Sequence, residues 1–193
     1  MKGDTRKLIH VLAQHIAISV DLVLFGGGAM TLAYRSQRAT EDLDILVGES
    51  QLQLYAEQGL GEVFDQVNRQ LEPMGLYIRH LWSPLQEVLT QNWEQKLVHI
   101  DPWWNNSLLQ LRAISPLDMI ASKLVRFDDV DREDIRYLIA EGWVQKEDLQ
   151  SFPSQLLIPI AWETEANKIK ERAKQLAKDD FDWAVSKKTK PAA

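Results

Sequence analysis

Asp42 and Asp44 stand two residues apart in the stretch "TEDLDILV", between apolar neighbours. In an extended strand, residues two apart project from the same face, so both carboxylates point one way while Leu43 points the other. Two carboxylates held that close repel each other, and each costs free energy if buried unpaired. Both problems are relieved by divalent cations that prefer oxygen ligands in octahedral geometry, Mg²⁺ or Mn²⁺. Mg²⁺ is typically held by one or two carboxylates together with substrate phosphates, so the pair calls for a phosphate-binding element nearby. The run Gly26-Gly27-Gly28 offers one. A strand that ends in glycines and turns into a helix exposes backbone N–H groups, and without a Cβ the backbone lets an anion approach closely. The run matches neither G-x-G-x-x-G nor the P-loop. Taken alone, it suits a tight strand–helix turn equally well. Its combination with the aspartates is what describes a site.

Such a site needs two strands and a short helix between them. "VDLVLFG" (20–26) reads as a buried strand, "GAMTLAYRS" (28–36) as a helix and "LDILVG" (43–48) as a second strand. An amphipathic helix over 4–18 precedes them, and a helical stretch over 52–75, interrupted near Gly59 and Gly61, follows. Strands are expected over 76–82, 95–101 and 107–115. The texture then turns helical. Ser115 caps and Pro116 opens a helix over 115–127, Gly142 closes another over 131–142, 146–152 forms a short one and 159–185 a long one. The tail "SKKTKPAA" is expected to be disordered.

The segment "FGGGAMTLAYRSQRATEDLDIL" resembles the signature of the DNA polymerase β-type nucleotidyltransferase superfamily, a Gly-Gly turn followed by Asp-x-Asp on a strand. Gly27-Gly28 and Asp42-Leu43-Asp44 match it. The register of Arg38, Thr40, Asp42 and Asp44 resembles more narrowly the small bacterial nucleotidyltransferase-like proteins related to AbiEii-type toxins. The resemblance implies Asp42 and Asp44 as catalytic metal ligands, with Gly27, Gly28, Arg38 and Thr40 around the triphosphate. The planar guanidinium of Arg38 suits phosphate oxygens. Those relatives also carry a lysine on one helix of the helical half and a basic–acidic pair opening the next. Lys123 and Arg126, then Arg132 and Asp134, offer these parts, with Lys123 and Asp134 matching best. Lys123 and Arg126 then meet phosphates, and Asp134 orients the lysine or the attacking group. A plain salt bridge between adjacent helices explains Lys123 and Asp134 as well. The superfamily usually has a third carboxylate on a later strand, for which the candidate is Asp101 in "KLVHIDPWW".

The remaining chemistry-bearing residues have plainer readings. His10 and His15 do not share a helix face, and His80 and His99 read as packed or surface residues. "DPWWNN" (101–106) suits either a base-stacking platform or the closing of a core. Lys168, Lys170, Arg172, Lys174 and Lys178 alternate with acids, as on a solvated face, and Lys187, Lys188 and Lys190 add weak phosphate contacts at most. The net charge of −6 removes any whole-protein basic field for nucleic acid. Cysteine is absent, so there is no thiolate chemistry. With no membrane-length apolar run and no secretory leader, the chain fits a cytoplasmic protein.

The expected architecture is α/β (α+β): a nucleotidyltransferase-type mixed sheet with flanking helices over 1–114, a helical C-terminal subdomain over 115–186 and a tail over 187–193. The expected activity is Mg²⁺-dependent transfer of a nucleoside monophosphate from a nucleoside triphosphate to an acceptor hydroxyl. RNA, in particular a tRNA end, is suggested by the toxin-like resemblance. The alternatives are an inactive nucleotide- or partner-binding module of a toxin–antitoxin pair with an antitoxin protein as partner, and transfer to a small molecule such as an aminoglycoside. A phosphate-binding hydrolase is the least specific reading.

Overall fold

The computed structural model describes residues 5–47, 57–182 and 186. The chain divides into two compact units, residues up to 84 with 97–114, and residues 85–96 with those from 115 onward.

The first unit holds helix α1 (Thr5–His15), strand β1 (Val20–Phe25), helix α2 (Gly26–Leu32), strand β2 (Asp42–Leu46), helix α3 (Leu60–Leu71) and strand β3 (Tyr77–Trp82). After the excursion of β4 (Leu89–Thr90) into the second unit, the chain returns as β5 (Val98–His99) and β6 (Leu109–Ala113). The strands form one mixed sheet in the order β3-β2-β1-β6-β5. Strand β2 runs antiparallel to β1, β6 parallel to β1, β3 parallel to β2, and β5 antiparallel to β6. Strand β1 is central and reads as a near-continuous apolar run, as a strand covered on both faces must. Leu22, Leu24, Leu43, Ile45 and Leu111 are fully buried. Each contributes about 1.5–3 kcal/mol through the apolar surface it removes from water. Helix α1 packs on α3, and α3 lies along β3.

The α/β architecture is as expected, and the helix after the glycines is shifted. Instead of 28–36 it spans Gly26–Leu32, so the glycines form its first turn. It ends early because Arg35 adopts a left-handed φ of 59° and Tyr34 turns inward, fully buried, its hydroxyl donating to the Ile114 carbonyl. The strand expected over 95–101 is only Val98–His99, preceded by a 3-10 turn at Trp93–Lys96.

The second unit contains β4, helices α4 (Pro116–Lys123), α5 (Asp129–Ala140) and α6 (Lys146–Ser151), strand β7 (Leu156–Leu157) and helix α7 (Ala166–Gln175). Ser115 caps α4 through a 3.2 Å bond from the Asp118 N–H, and Gly142, at φ 78°, closes α5. The helix expected over 159–185 is broken up. A 3-10 stretch at Ile160–Glu165, where Trp162 donates to the Gln86 carbonyl, precedes α7, and a π turn at Leu176–Asp180 follows it. Residues 187–193 of the tail and 52–56 at the start of the 52–75 stretch lie outside the described residues. The β4–β7 pair was not legible in sequence, since two-residue strands leave no alternation to read. Asp118 anchors it: fully buried, it accepts from the Thr90 N–H at 2.6 Å, the Thr90 hydroxyl at 2.7 Å and the Ser115 hydroxyl at 2.5 Å. No helix among the described residues is long and apolar enough to cross a membrane.

Candidate active site

Asp42 and Asp44 alternate with buried Leu43 and Ile45 along β2, so both carboxylates leave the sheet on one face and are half-buried. Asp44 lies opposite Phe25, the last residue of β1. The glycine turn that follows is therefore beside it, and each glycine has its own reason to lack a side chain. A Cβ on Gly26 would stand 2.5 Å from Asp44 Oδ2, one on Gly27 would stand 2.6 Å from Thr40 Oγ1, and one on Gly28 would stand 2.7 Å from Leu43 Cδ1. Gly26 also takes a φ of 62°, a conformation that favours glycine. The run thus lets β2 and the segment before it lie directly against the turn, with the Asp44 carboxylate over its backbone.

Thr40 is buried, and its hydroxyl donates to Asp42 Oδ1 at 2.8 Å. The other oxygen, Asp42 Oδ2, accepts from Arg79 Nη1 at 3.1 Å. Arg79 is the extra residue of an irregularity in β3: Leu43 pairs with Ile78, but Asp44 pairs with His80. A bulge of this kind re-aims a side chain, here onto Asp42. Arg79's guanidinium is held above its ordinary pKa, chiefly by the hydrogen bond to Asp42, with the fields of Tyr77, Asp42 and Asp44 adding to it. No sequence signal singled out Arg79, because its role depends on that change of register. Outside Arg79, a cavity of about 580 Å³ runs between α3 and the edge strand β3, lined among others by Asp65, Arg69, Glu72 and Tyr77. Asn68 closes the edge there, its amide bonding both the N–H and the carbonyl of Ile78.

Arg38 is partly exposed just upstream of Thr40, its carbonyl receiving the Thr31 hydroxyl at 3.3 Å. Asp101 is not brought to the aspartate pair. It is exposed and follows Ile100, whose N–H bonds the Leu111 carbonyl, at the level of Leu22 rather than Phe25. It also leaves β5, three strand spacings (~14 Å) across the sheet from β2. Another acid on the aspartates' face, Asp21, is gripped at 3.0 and 2.6 Å by both arms of Arg112. Among the described residues no group of three or more His, Asp or Glu side chains is placed to hold a metal ion.

Lys123 and Asp134 lie in the second unit and meet there. Lys123 Nζ is 2.6 Å from Asp134 and 3.3 Å from Asp131, and all three side chains are almost fully buried. Arg126 grips Asp131 with two bonds of 2.9 and 2.8 Å and pairs with Asp128 at 2.7 Å, while remaining two-thirds exposed. Burial pushes the Asp131 carboxyl up, but its bonds to Arg126 and the charge of Lys123 outweigh that and hold it below its ordinary value. The α4–α5 turn carrying this network holds Phe127 at φ 55°, clamped between the guanidiniums of Arg132 and Arg172.

One family model, described as "Nucleotidyltransferase of unknown function (DUF6036)", matches residues 6–179, nearly the whole chain. The chain belongs to this family. The match spans both units and every site residue named above. No curated protein and no solved structure matches the chain significantly.

The donors beside the glycine turn fit an oxygen-preferring divalent cation. Two hard carboxylates share one face, one is seated where a Cβ would fill the space, and the other is oriented by a buried hydroxyl. Such an ion would be held by Asp42 and Asp44.

Proposed function

We propose that this chain moves a nucleoside monophosphate from a nucleoside triphosphate to an acceptor hydroxyl, with Mg²⁺ or Mn²⁺ on Asp42 and Asp44. The observation that carries the reading is the seat of the Asp44 carboxylate directly over Gly26, which brings a metal ligand and the glycine turn to one point. When bound, the ion supplies charge neutralisation for the triphosphate and for the departing pyrophosphate. The chain's own residues do the positioning. Thr40 fixes the rotamer of Asp42, and the glycines keep Asp44 against the turn. The Gly27 and Gly28 backbone and the Arg38 guanidinium are assigned to phosphate oxygens, and one carboxylate of the pair helps to take the proton of the attacking hydroxyl. Lys123 and Asp134 enter as a coupled unit, with Asp134 fixing the ammonium, and Arg126 supplies the exposed cation of that cluster.

The register of Arg38, Thr40, Asp42 and Asp44, like that of AbiEii-type toxins, favours RNA as acceptor, in particular a tRNA end. A second reading, a nucleotide- or partner-binding module of a toxin–antitoxin pair without transferase activity, also has an observation behind it. Asp101 is exposed beyond β5, three strands from β2, and among the described residues no group of three or more His, Asp or Glu side chains is placed to hold a metal ion. The experiment is to incubate the protein with Mg²⁺, each α-³²P-labelled nucleoside triphosphate, total RNA and, separately, small polyol and aminoglycoside acceptors, with Asp44→Asn alongside. Label on an acceptor that vanishes in Asp44→Asn supports transfer and names the acceptor. Nucleotide binding with no labelled acceptor moves the assignment to the binding module.

A further inference from the structure

The geometry points to Arg79 as a built-in counter-ion that competes with the divalent cation for Asp42, so that metal binds more weakly until the guanidinium is displaced. This inference rests on the divalent-cation reading of Asp42 and Asp44 and assigns a role to a residue that neither the linear motif nor the family description marks.

Each oxygen of Asp42 has a donor. Oδ1 takes the Thr40 hydroxyl, which is buried and fixed, whereas Oδ2 takes Arg79 Nη1. The two donors differ in how easily they leave. Among the described residues Arg79 makes a single 3.1 Å contact, and its side chain is about half exposed, so water replaces the protein contact at little cost. The contact is nevertheless specified by the fold. It depends on the register shift in β3, which sets His80 opposite Asp44 and leaves Arg79 as the inserted residue reaching Asp42. Regular parallel pairing would place residue 79 opposite Asp44 instead. The guanidinium thus offsets one of the two neighbouring negative charges, relieving the repulsion that the pair carries without metal. A divalent cation arriving alone must displace or tolerate this positive charge. One arriving with a polyphosphate meets anionic oxygens that the freed guanidinium can follow, since its planar donors suit phosphate. Arg79 also stands at the inner wall of the cavity beside β3, giving the displaced side chain open space to move into. Metal loading is thereby coupled to nucleotide loading.

The test measures Mn²⁺ binding to the full chain by electron paramagnetic resonance, which reads free Mn²⁺ directly, with and without a non-hydrolysable nucleoside triphosphate analogue. Wild type is compared with Arg79→Gln, Arg79→Lys and Arg79→Gln/Asp42→Asn, each checked for folding by its melting temperature. Removing one positive charge roughly 5 Å from a dication in a solvated site corresponds to about tenfold tighter binding. Arg79→Gln is therefore expected to bind Mn²⁺ about tenfold more tightly without nucleotide. Arg79→Lys should stay near wild type, and the double variant should lose the gain. The enhancement of Mn²⁺ affinity by the analogue should shrink in Arg79→Gln. Mn²⁺ binding that Arg79→Gln leaves unchanged or weakens overturns the role of Arg79 alone. No Mn²⁺ binding in any variant, with or without the analogue, overturns the cation reading of the aspartate pair and this inference with it.

Discussion

Replacing Lys123 by methionine removes one charge from a cluster buried in the second unit while keeping most of the side-chain volume. Lys123 lies 2.6 Å from Asp134 and 3.3 Å from Asp131, and none of the three side chains is more than 7% exposed. Breaking a buried ion pair by deleting one partner costs about 3–5 kcal/mol, because the remaining charge stays desolvated. Here Asp131 keeps both bonds to Arg126, so the loss falls mainly on Asp134. The expected cost therefore lies at the low end, about 3 kcal/mol, or roughly 6–12 °C in melting temperature for a chain of this size. Adding Asp134→Leu removes the carboxylate that Lys123 had paired, and the double variant should recover to within about 1 kcal/mol of wild type. Urea unfolding followed by tryptophan fluorescence measures both. A cost below about 1 kcal/mol for Lys123→Met would show that water screens the pair in solution, and the buried-network argument would fail. The double variant also separates structure from chemistry. Folded yet inactive in nucleotide labelling, it assigns Lys123 and Asp134 to the reaction; folded and active, it leaves them as scaffold.

The glycine turn should respond unequally to added methyl groups. Gly26→Ala meets Asp44 Oδ2 and a left-handed φ, and should cost about 1–3 kcal/mol and weaken Mn²⁺ binding; Gly28→Ala meets the flexible end of Leu43, and should leave Mn²⁺ binding intact. Equal Mn²⁺ affinities in the two variants would count against the seat proposed for Asp44. Acid should uncouple the Asp131 network. Its carboxyl is lowered in the folded chain, so its contribution is complete above the unfolded value of about 3.9 and is lost as pH falls through the lowered folded value. The stability gap between wild type and Asp131→Asn should therefore be full near pH 7 and narrow below about pH 4. A gap that stays constant on acidification would refute the charge assignment.

The sequence by itself determined what depends on local pattern. The alternation of aspartates with Leu43 and Ile45 required one polar and one buried face on β2, and the structure has both. The apolar run of β1, the Ser115 cap and the Gly142 stop are equally local, set by side-chain period and backbone conformation within a few residues. Tertiary structure decided everything that depends on register and close approach between distant segments. The sequence shows three glycines, but only packing reveals that they meet Asp44, Thr40 and Leu43. It shows Asp118 as an ordinary first-turn acid, and only the fold delivers Thr90 to it. It places Asp101 near a strand end, but the antiparallel pairing of β5 with β6 carries that end away from Asp44. Arg79 is the sharpest case. One inserted residue in β3 changes which aspartate it faces, and no linear spacing encodes that shift, because register is fixed by how neighbouring strands pack and not by either strand alone.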